Sequence, residues 1–229
     1  MGWAAAIGVI ASGAIARESV APSQKHGRIR LYHARMTTAQ SPHIARAKAI
    51  DEELKALQAE RRALRMKIAA APVHDYDFRR PDGSTVKLSQ LFGAHDDMLI
   101  VHNMGERCQH CALWADGFIG FARHLAQRCA FVLASLDSPE SLTAQIALRG
   151  WNYPVVSDGG TSFNLDMGYE PKPDSRYPGV SSFHRSADGS IARVSSAFFG
   201  PGDQFCSIWP LFELFADGHK EWSPHKPLA

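Results

Sequence analysis

Met98-Leu99-Ile100-Val101-His102-Asn103-Met104-Gly105-Glu106-Arg107-Cys108-Gln109-His110-Cys111-Ala112-Leu113-Trp114 is the stretch that decides the fold. Met98 to Val101 is a short apolar run without Gly or Pro, the pattern of a buried strand. Asn103-Met104-Gly105-Glu106 breaks it. From Ala112 onward, Leu113, Phe118, Phe121 and Leu125 recur at near-helical spacing, so a helix is expected to run towards Arg128. Cys108 and Cys111 stand three positions apart where that helix begins. Cys108 would then lie beside free N–H groups and the positive end of the helix dipole, which favour a thiolate. Arg107 is adjacent and His110 lies between the sulfurs, and both add positive charge. The Cys108 pKa is therefore expected below the usual value of about 8.5, with Glu106 opposing the shift. Two sulfurs so placed suit dithiol–disulfide exchange, with Cys108 as nucleophile and Cys111 as resolving thiol. A stabilised thiolate makes the disulfide easier to reduce, so a linker containing His points to an oxidising or isomerising poise.

The rest of the composition narrows the function classes. The chain has 229 residues, enough for a large domain or a domain with an extension. Hydrophobic content of 45% and charged content of 21% are those of an ordinary globular protein. A net charge of +2 without a Lys/Arg block gives no case for nucleic acid. No stretch of 18 apolar residues argues for a membrane span. Of the 4 cysteines, Cys129 and Cys206 lie far from the pair and from each other, and read as buried small side chains. This is neither the framework of a disulfide-stapled scaffold nor a zinc ribbon, which needs further ligands at the right spacing. The expectation is no metal and no cofactor beyond the Cys108–Cys111 disulfide itself.

Taken in order, residues 1–42 read as an extension outside the fold. Trp3 to Ala16 is apolar and ends in Ala14-Ile15-Ala16, yet no Lys or Arg precedes it. Three readings stand: an upstream start, with Met36 the natural one; a weak export signal; or a flexible arm. The first is preferred, and with it a cytoplasmic location. Residues 43–71 read as a long helix with Ala47, Ile50, Leu54, Leu57, Arg61, Leu64 and Ile68 along one heptad seam. It serves either as a homodimerising helix or as one that folds back or stays solvated. Residues 72–216 form the main domain and 217–229 a tail. Within the domain, Tyr76 to Leu88 reads as a hairpin around Pro81-Asp82-Gly83. Cys129 to Ser135 reads as a second buried strand, and Ser138-Pro139-Glu140 starts a helix that Gly150 stops. Val180–Arg185 and Ile191–Ser195 flank the turn Ala187-Asp188-Gly189, and Ile208–Phe215 is an apolar helix. Strand and helix alternate around the cysteines, which implies a parallel core to the sheet.

Thr85 to Leu91, the central strand, the CxxC helix and the late strand–turn–strand resemble the thioredoxin-like fold of the peroxiredoxin-related group. More closely, the run Cys108 to Asp116 resembles the family called domain of unknown function 899, bacterial predicted dithiol–disulfide oxidoreductases. So do His124-Leu125, Arg128, Gly150-Trp151 with Pro154, Ser162-Phe163-Asn164, Pro178-Gly179-Val180-Ser181 and the charged helix ending near Arg65. The loop Asn103–Arg107 is shorter than is common in that family. The resemblance implies an α/β, three-layer thioredoxin-like fold: a central mixed sheet flanked by helices, with a long N-terminal helix. It implies an oxidoreductase acting on a protein or small-molecule disulfide with a thiol reductant as electron partner. It further implies a cis proline beside the cysteines, for which Pro178 is the candidate. His102 falls where thioredoxins carry a buried acid that helps the resolving thiol lose its proton, so its imidazole either does that work or is a satisfied core histidine. Two other functions compete. A thiol peroxidase of this fold needs a Pro and a Thr shortly before its cysteine, and Asn103–Arg107 has neither. A non-catalytic binding module would use the fold as scaffold alone.

Overall fold

The computed structural model describes residues 41–172 and 175–225. They fall into two compact units, residues 1–61 and 62–229, and the expected extension, residues 1–42, lies almost wholly outside the described residues.

The described part of the first unit is one helix. Helix α1, Pro42–Arg65, opens with Pro42 in its first turn, and the Ser41 carbonyl accepts from Ile44 and Ala45. It ends at Arg65, a turn short of the expected boundary, and single turns carry the chain to Ile68. None of its residues is buried.

The second unit is built on one mixed sheet. Its elements are β1 (Ala71–Pro72), β2 (Asp77–Arg79), β3 (Thr85–Lys87), α2 (Leu88–Leu91), β4 (Asp97–Asn103), α3 (Gln109–Phe118), α4 (Ala122–Leu125), β5 (Ala130–Ser135), α5 (Pro139–Arg149), β6 (Val155–Ser157), α6 (Phe163–Asp166), β7 (Gly179–Arg185), β8 (Ile191–Phe198) and α7 (Ile208–Phe212). The eight strands lie in the order β1-β8-β7-β4-β5-β6-β2-β3. β4, β5 and β6 are parallel, joined by right-sized strand–helix crossovers, and every other pairing is antiparallel.

Helices cover both faces. One core joins Phe78, Leu88, Met98, Ile100, Phe163, Tyr169 and Phe183. The other joins Val101, Trp114, Ala115, Leu133, Leu142, Phe199 and Trp209. β4 feeds both cores by simple alternation: Met98 and Ile100 point to the first, Val101 to the second.

Local chemistry explains most boundaries. Ser138 caps α5 by accepting from the Ser141 N–H at 3.3 Å, Pro139 occupies its first turn, and Gly150 ends it at φ +70°. The hairpin turn closes with Gly83 at φ +82° and Asp82 accepting from Ser84. The helix expected to run to Arg128 instead breaks after Phe118, and α4 is a separate turn. Gly117 and Gly120 carry the highest entropic cost of helix among ordinary residues, and the break leaves Phe121 exposed. α7 likewise ends at Phe212, short of Phe215. Trp222 packs edge-on against Phe212 and Trp209, so the expected tail boundary at 217 falls inside this aromatic packing. The pairing of β1 with Ala192 and Arg193 of β8 was not foreseen, because two residues carry no period.

Candidate active site

β4 delivers the chain to the carboxyl end of the parallel strands, where crevices of open α/β sheets form. There Asn103 turns it: its side-chain oxygen accepts the Gly105 N–H at 2.7 Å, and the Gly105 carbonyl accepts from Cys108 at 3.0 Å. Gly105 has φ +98°, and a Cβ on it would stand 2.8 Å from the Asp137 carboxylate. The position therefore demands glycine twice, for conformation and for space.

Cys108 is the N-cap of α3. Its sulfur accepts the Cys111 N–H at 3.1 Å and is half-buried. The Cys111 thiol is the strongest influence upon it: by hydrogen-bonding to the sulfur it favours the charged form. Burial opposes this, and the backbone N–H groups of Cys111 and His110 add to it, leaving the Cys108 pKa lowered to about 6. Cys111 sits behind, 2% exposed. Its acidity is suppressed first by that same hydrogen bond, then by burial, by the Cys108 charge and by Asp137, while the Met104 N–H at 3.4 Å works the other way. All four cysteines are free thiols.

Asp137, two residues past β5, is a carboxylate that binds the loop before the cysteines, and it was not anticipated. Its carboxylate accepts the Glu106 N–H at 3.0 and 3.2 Å, the Ser135 hydroxyl at 2.8 Å and the Gln145 amide at 2.9 Å. It thereby ties the loop before the cysteines to β5 and α5. The signal available in sequence was only that Asp137 follows a parallel strand, at the end where such sheets place their sites.

The remaining expected site residues fall in different places. Arg107 is exposed and makes no hydrogen bond or ion pair among the described residues. His110 contributes its backbone N–H to the Cys108 sulfur, while its ring rests near Trp114 and Trp209, 6.1 and 6.4 Å between centroids. The sulfur is thus held by hydrogen bonds rather than by these two side-chain charges.

Pro178 lies one step beyond the His102–Gly179 pair, opposite the end of β4, so it does reach the cysteine end of the sheet. Its peptide bond is trans, which corrects the expected cis proline. The Pro178 carbonyl accepts the Phe199 N–H at 2.8 Å, an ordinary continuation of the β7–β8 ladder. Gly179 beside it has no room for a side chain, because a Cβ would meet the Tyr169 ring at 2.3 Å.

His102 does not serve Cys111. Alternation along β4 sends it to the face opposite α3, where it is 1% exposed and stacked between Phe163 and Tyr169. Nδ1 faces the Asn164 carbonyl oxygen at 2.6 Å and Nε2 the Ser181 hydroxyl at 2.9 Å. Asn164 donates its amide to the buried Asp158 carboxylate, so its oxygen is left to accept, which places the His102 proton on Nδ1. Burial lowers the His102 pKa to about 3, so the ring is a neutral structural group.

Cys129 and Cys206 are buried, and burial raises both. The Cys206 N–H donates to the Asp203 carboxylate at 3.1 Å. His184 pairs with Asp97 at the far end of β4 from the cysteines. Asp116 accepts from Arg149 and from the Trp151 indole, both at 2.9 Å. Among the described residues no group of three His, Cys, Asp or Glu side chains is arranged to hold a metal ion.

The model of the family described as "Bacterial protein of unknown function (DUF899)" matches residues 31–227. The chain belongs to this family. Among solved structures it is similar to peroxidoxin BcpB from Mycobacterium tuberculosis, at 19% identity over 53% of this chain and 80% of that one, TM-score 0.45. It is similar also to reduced Prx3 in complex with hydrogen peroxide from Vibrio vulnificus, at 14% identity over 59% and 90%, TM-score 0.46. No curated protein matches the sequence. As a member of the DUF899 family, the chain carries its CxxC on a central mixed sheet with helices on both faces, the cysteines opening the helix after the central strand. No described helix is long and apolar enough to cross a membrane.

Proposed function

We propose that the chain is a dithiol–disulfide oxidoreductase whose nucleophile is Cys108 and whose resolving thiol is Cys111. One observation carries the reading: a half-exposed sulfur at a helix start, its pKa lowered to about 6, with a second, buried thiol hydrogen-bonded to it from behind.

At neutral pH Cys108 is mostly thiolate. It attacks one sulfur of a substrate disulfide, forming a mixed disulfide and releasing the other substrate sulfur as a thiolate that takes up a proton. The Cys108 charge disappears in that step, and with it the first cause that suppresses Cys111. Cys111 then gives up its proton and attacks the Cys108 sulfur. The Cys108–Cys111 disulfide forms, the second substrate thiolate leaves, and two electrons have passed from the dithiol to the substrate. A thiol reductant restores the pair. Asp137 is the carboxylate whose charge reaches Cys111, and it is the proton acceptor in the resolving step, directly or through water. His110, Arg107 and Pro178 line this end of the sheet as substrate contacts. A cytoplasmic setting, where a catalytic rather than a structural disulfide is expected, goes with this reading.

The test is insulin reduction with a thiol donor, run beside peroxide consumption with the same donor. Wild type reduces insulin, Cys108→Ser falls to background, and Cys111→Ser accumulates a mixed disulfide. Turnover that survives Cys108→Ser overturns the proposal. Peroxide consumption without insulin reduction replaces it with the thiol-peroxidase reading.

A further inference from the structure

Helix α1 is long, amphipathic only along one seam, and nowhere buried. Its apolar residues Ile50, Leu54, Leu57 and Leu64 are 41–60% exposed, which is unusual for four large aliphatics on one stripe. Helical segments draw most of their stability from packing such a stripe, not from propensity. In heptad terms Ala47, Leu54 and Arg61 occupy the a positions, and Ile50, Leu57 and Leu64 the d positions.

The charges flanking that seam say what covers it. The g positions are Arg46, Glu53 and Glu60; the e positions are Asp51, Gln58 and Arg65. In a parallel, in-register pair each g residue meets the e residue five positions on in the other copy. Arg46 then meets Asp51, Glu53 meets Gln58, and Glu60 meets Arg65, so every charged contact is attractive and each occurs twice by symmetry. In an antiparallel pair with Leu54 packed on Leu57, g meets g, and Glu53 faces Glu60 of the other copy. Arg61 fits the parallel pair as well. At an a position of a two-stranded coil its stem covers the seam and its head reaches the Glu60 of the other copy, at some cost in stability that fixes the register. In the single helix Arg46 bridges to Glu53 at 2.7 Å, an exposed contact of little worth that gives way readily to Asp51 of the second copy.

We infer that α1 pairs with α1 of a second copy of this chain as a parallel two-stranded coiled coil, which makes the protein a homodimer with its two thiol-bearing units leaving from the same end of the coil.

The test is the mass of the full chain by sedimentation equilibrium, across a hundredfold range of concentration. The wild type is expected at twice the chain mass. Leu54→Asp with Leu57→Asp is expected at the chain mass, with the thermal midpoint of the sheet unit and the alkylation rate of Cys108 unchanged. Arg46→Glu is expected to weaken the dimer at least several-fold, and Arg46→Glu with Asp51→Arg to restore it. A wild-type monomer overturns the proposal, since the seam is then solvated or covered by the chain's own residues. So does a dimer that Leu54→Asp with Leu57→Asp leaves intact, because the contact then lies elsewhere. Failure of the paired charge exchange to restore association overturns the parallel orientation.

Discussion

The two faces of β4 hold their polar groups under opposite rules. On one face His102 is enclosed, stacked between two rings, and satisfied at both nitrogens. On the other, one residue further along, Asn103 turns the chain into a loop that leaves the Cys108 sulfur half-open at a helix start. Both groups have pKa values displaced by several units, yet for contrary reasons. Burial drives His102 away from its charged form, whereas hydrogen bonds draw Cys108 into its charged form. A shifted pKa therefore marks chemistry only where the charged form is the favoured one and the atom is reachable.

The largest effect expected from this contrast is on stability. His102→Leu removes a buried aromatic stack and leaves Asn164 and Ser181 facing apolar carbon, at a cost of about 3 kcal/mol. Chemical denaturation measures this, and Cys108 alkylation should be unmoved. The penalty also carries a pH signature. Because the folded pKa is depressed, the neutral ring contributes stability that is complete above about 6.5 and is lost as pH falls towards 3. The gap between wild type and His102→Leu should accordingly shrink as the pH falls below about 6.5, by up to about 1.4 kcal/mol per pH unit, and close before the pH reaches 3. A gap that stays constant with pH breaks the assignment of His102 as a sealed neutral ring.

On the other face, Cys111→Ala removes the first cause of the low Cys108 pKa, and the alkylation midpoint should rise by about one unit or more. A midpoint that stays put would return the credit to the helix start alone. Asp137→Asn is expected to slow resolution of the mixed disulfide about tenfold at pH 7, and to matter progressively less as the pH approaches the range of a free thiol. Stopped-flow release of a chromogenic thiol reads both. An equal slowing at every pH would make Asp137 a fastener of the loop and nothing more. The smallest effect is expected at Arg107→Ala, less than about half a pKa unit at Cys108, since an exposed charge is screened by water and salt.

How much of this was legible follows from distance along the chain. Ser138, Pro139 and Gly150 mark both ends of α5 because capping is settled within four residues. The CxxC was legible for the same reason: strand, break and helix start lie within fifteen residues of one another. The fold class followed from these local patterns together with the family resemblance. What was not legible is what converges. Asp137 reaches Cys111 only after β5 pairs with β4, and nothing in residues 130–137 announces that register. The fate of His102 turned on the parity of one strand, and a one-residue change of parity would have sent it to the cysteines. The thioredoxin-like resemblance pointed to His102, whose side chain lies on the other face, whereas the carboxylate that acts on Cys111, Asp137, follows the neighbouring strand β5. The trans Pro178 shows the same limit, since peptide isomer is set by tertiary surroundings that sequence does not display.

The most direct test of the central claim is the pH dependence of Cys108 alkylation by iodoacetamide in the reduced wild-type protein, read by mass on the peptide that carries it. The rate should reach half its maximum near pH 6. A midpoint near the ordinary thiol value of about 8.5 would contradict a sulfur held ionised at neutral pH, and with it the nucleophilic role of Cys108.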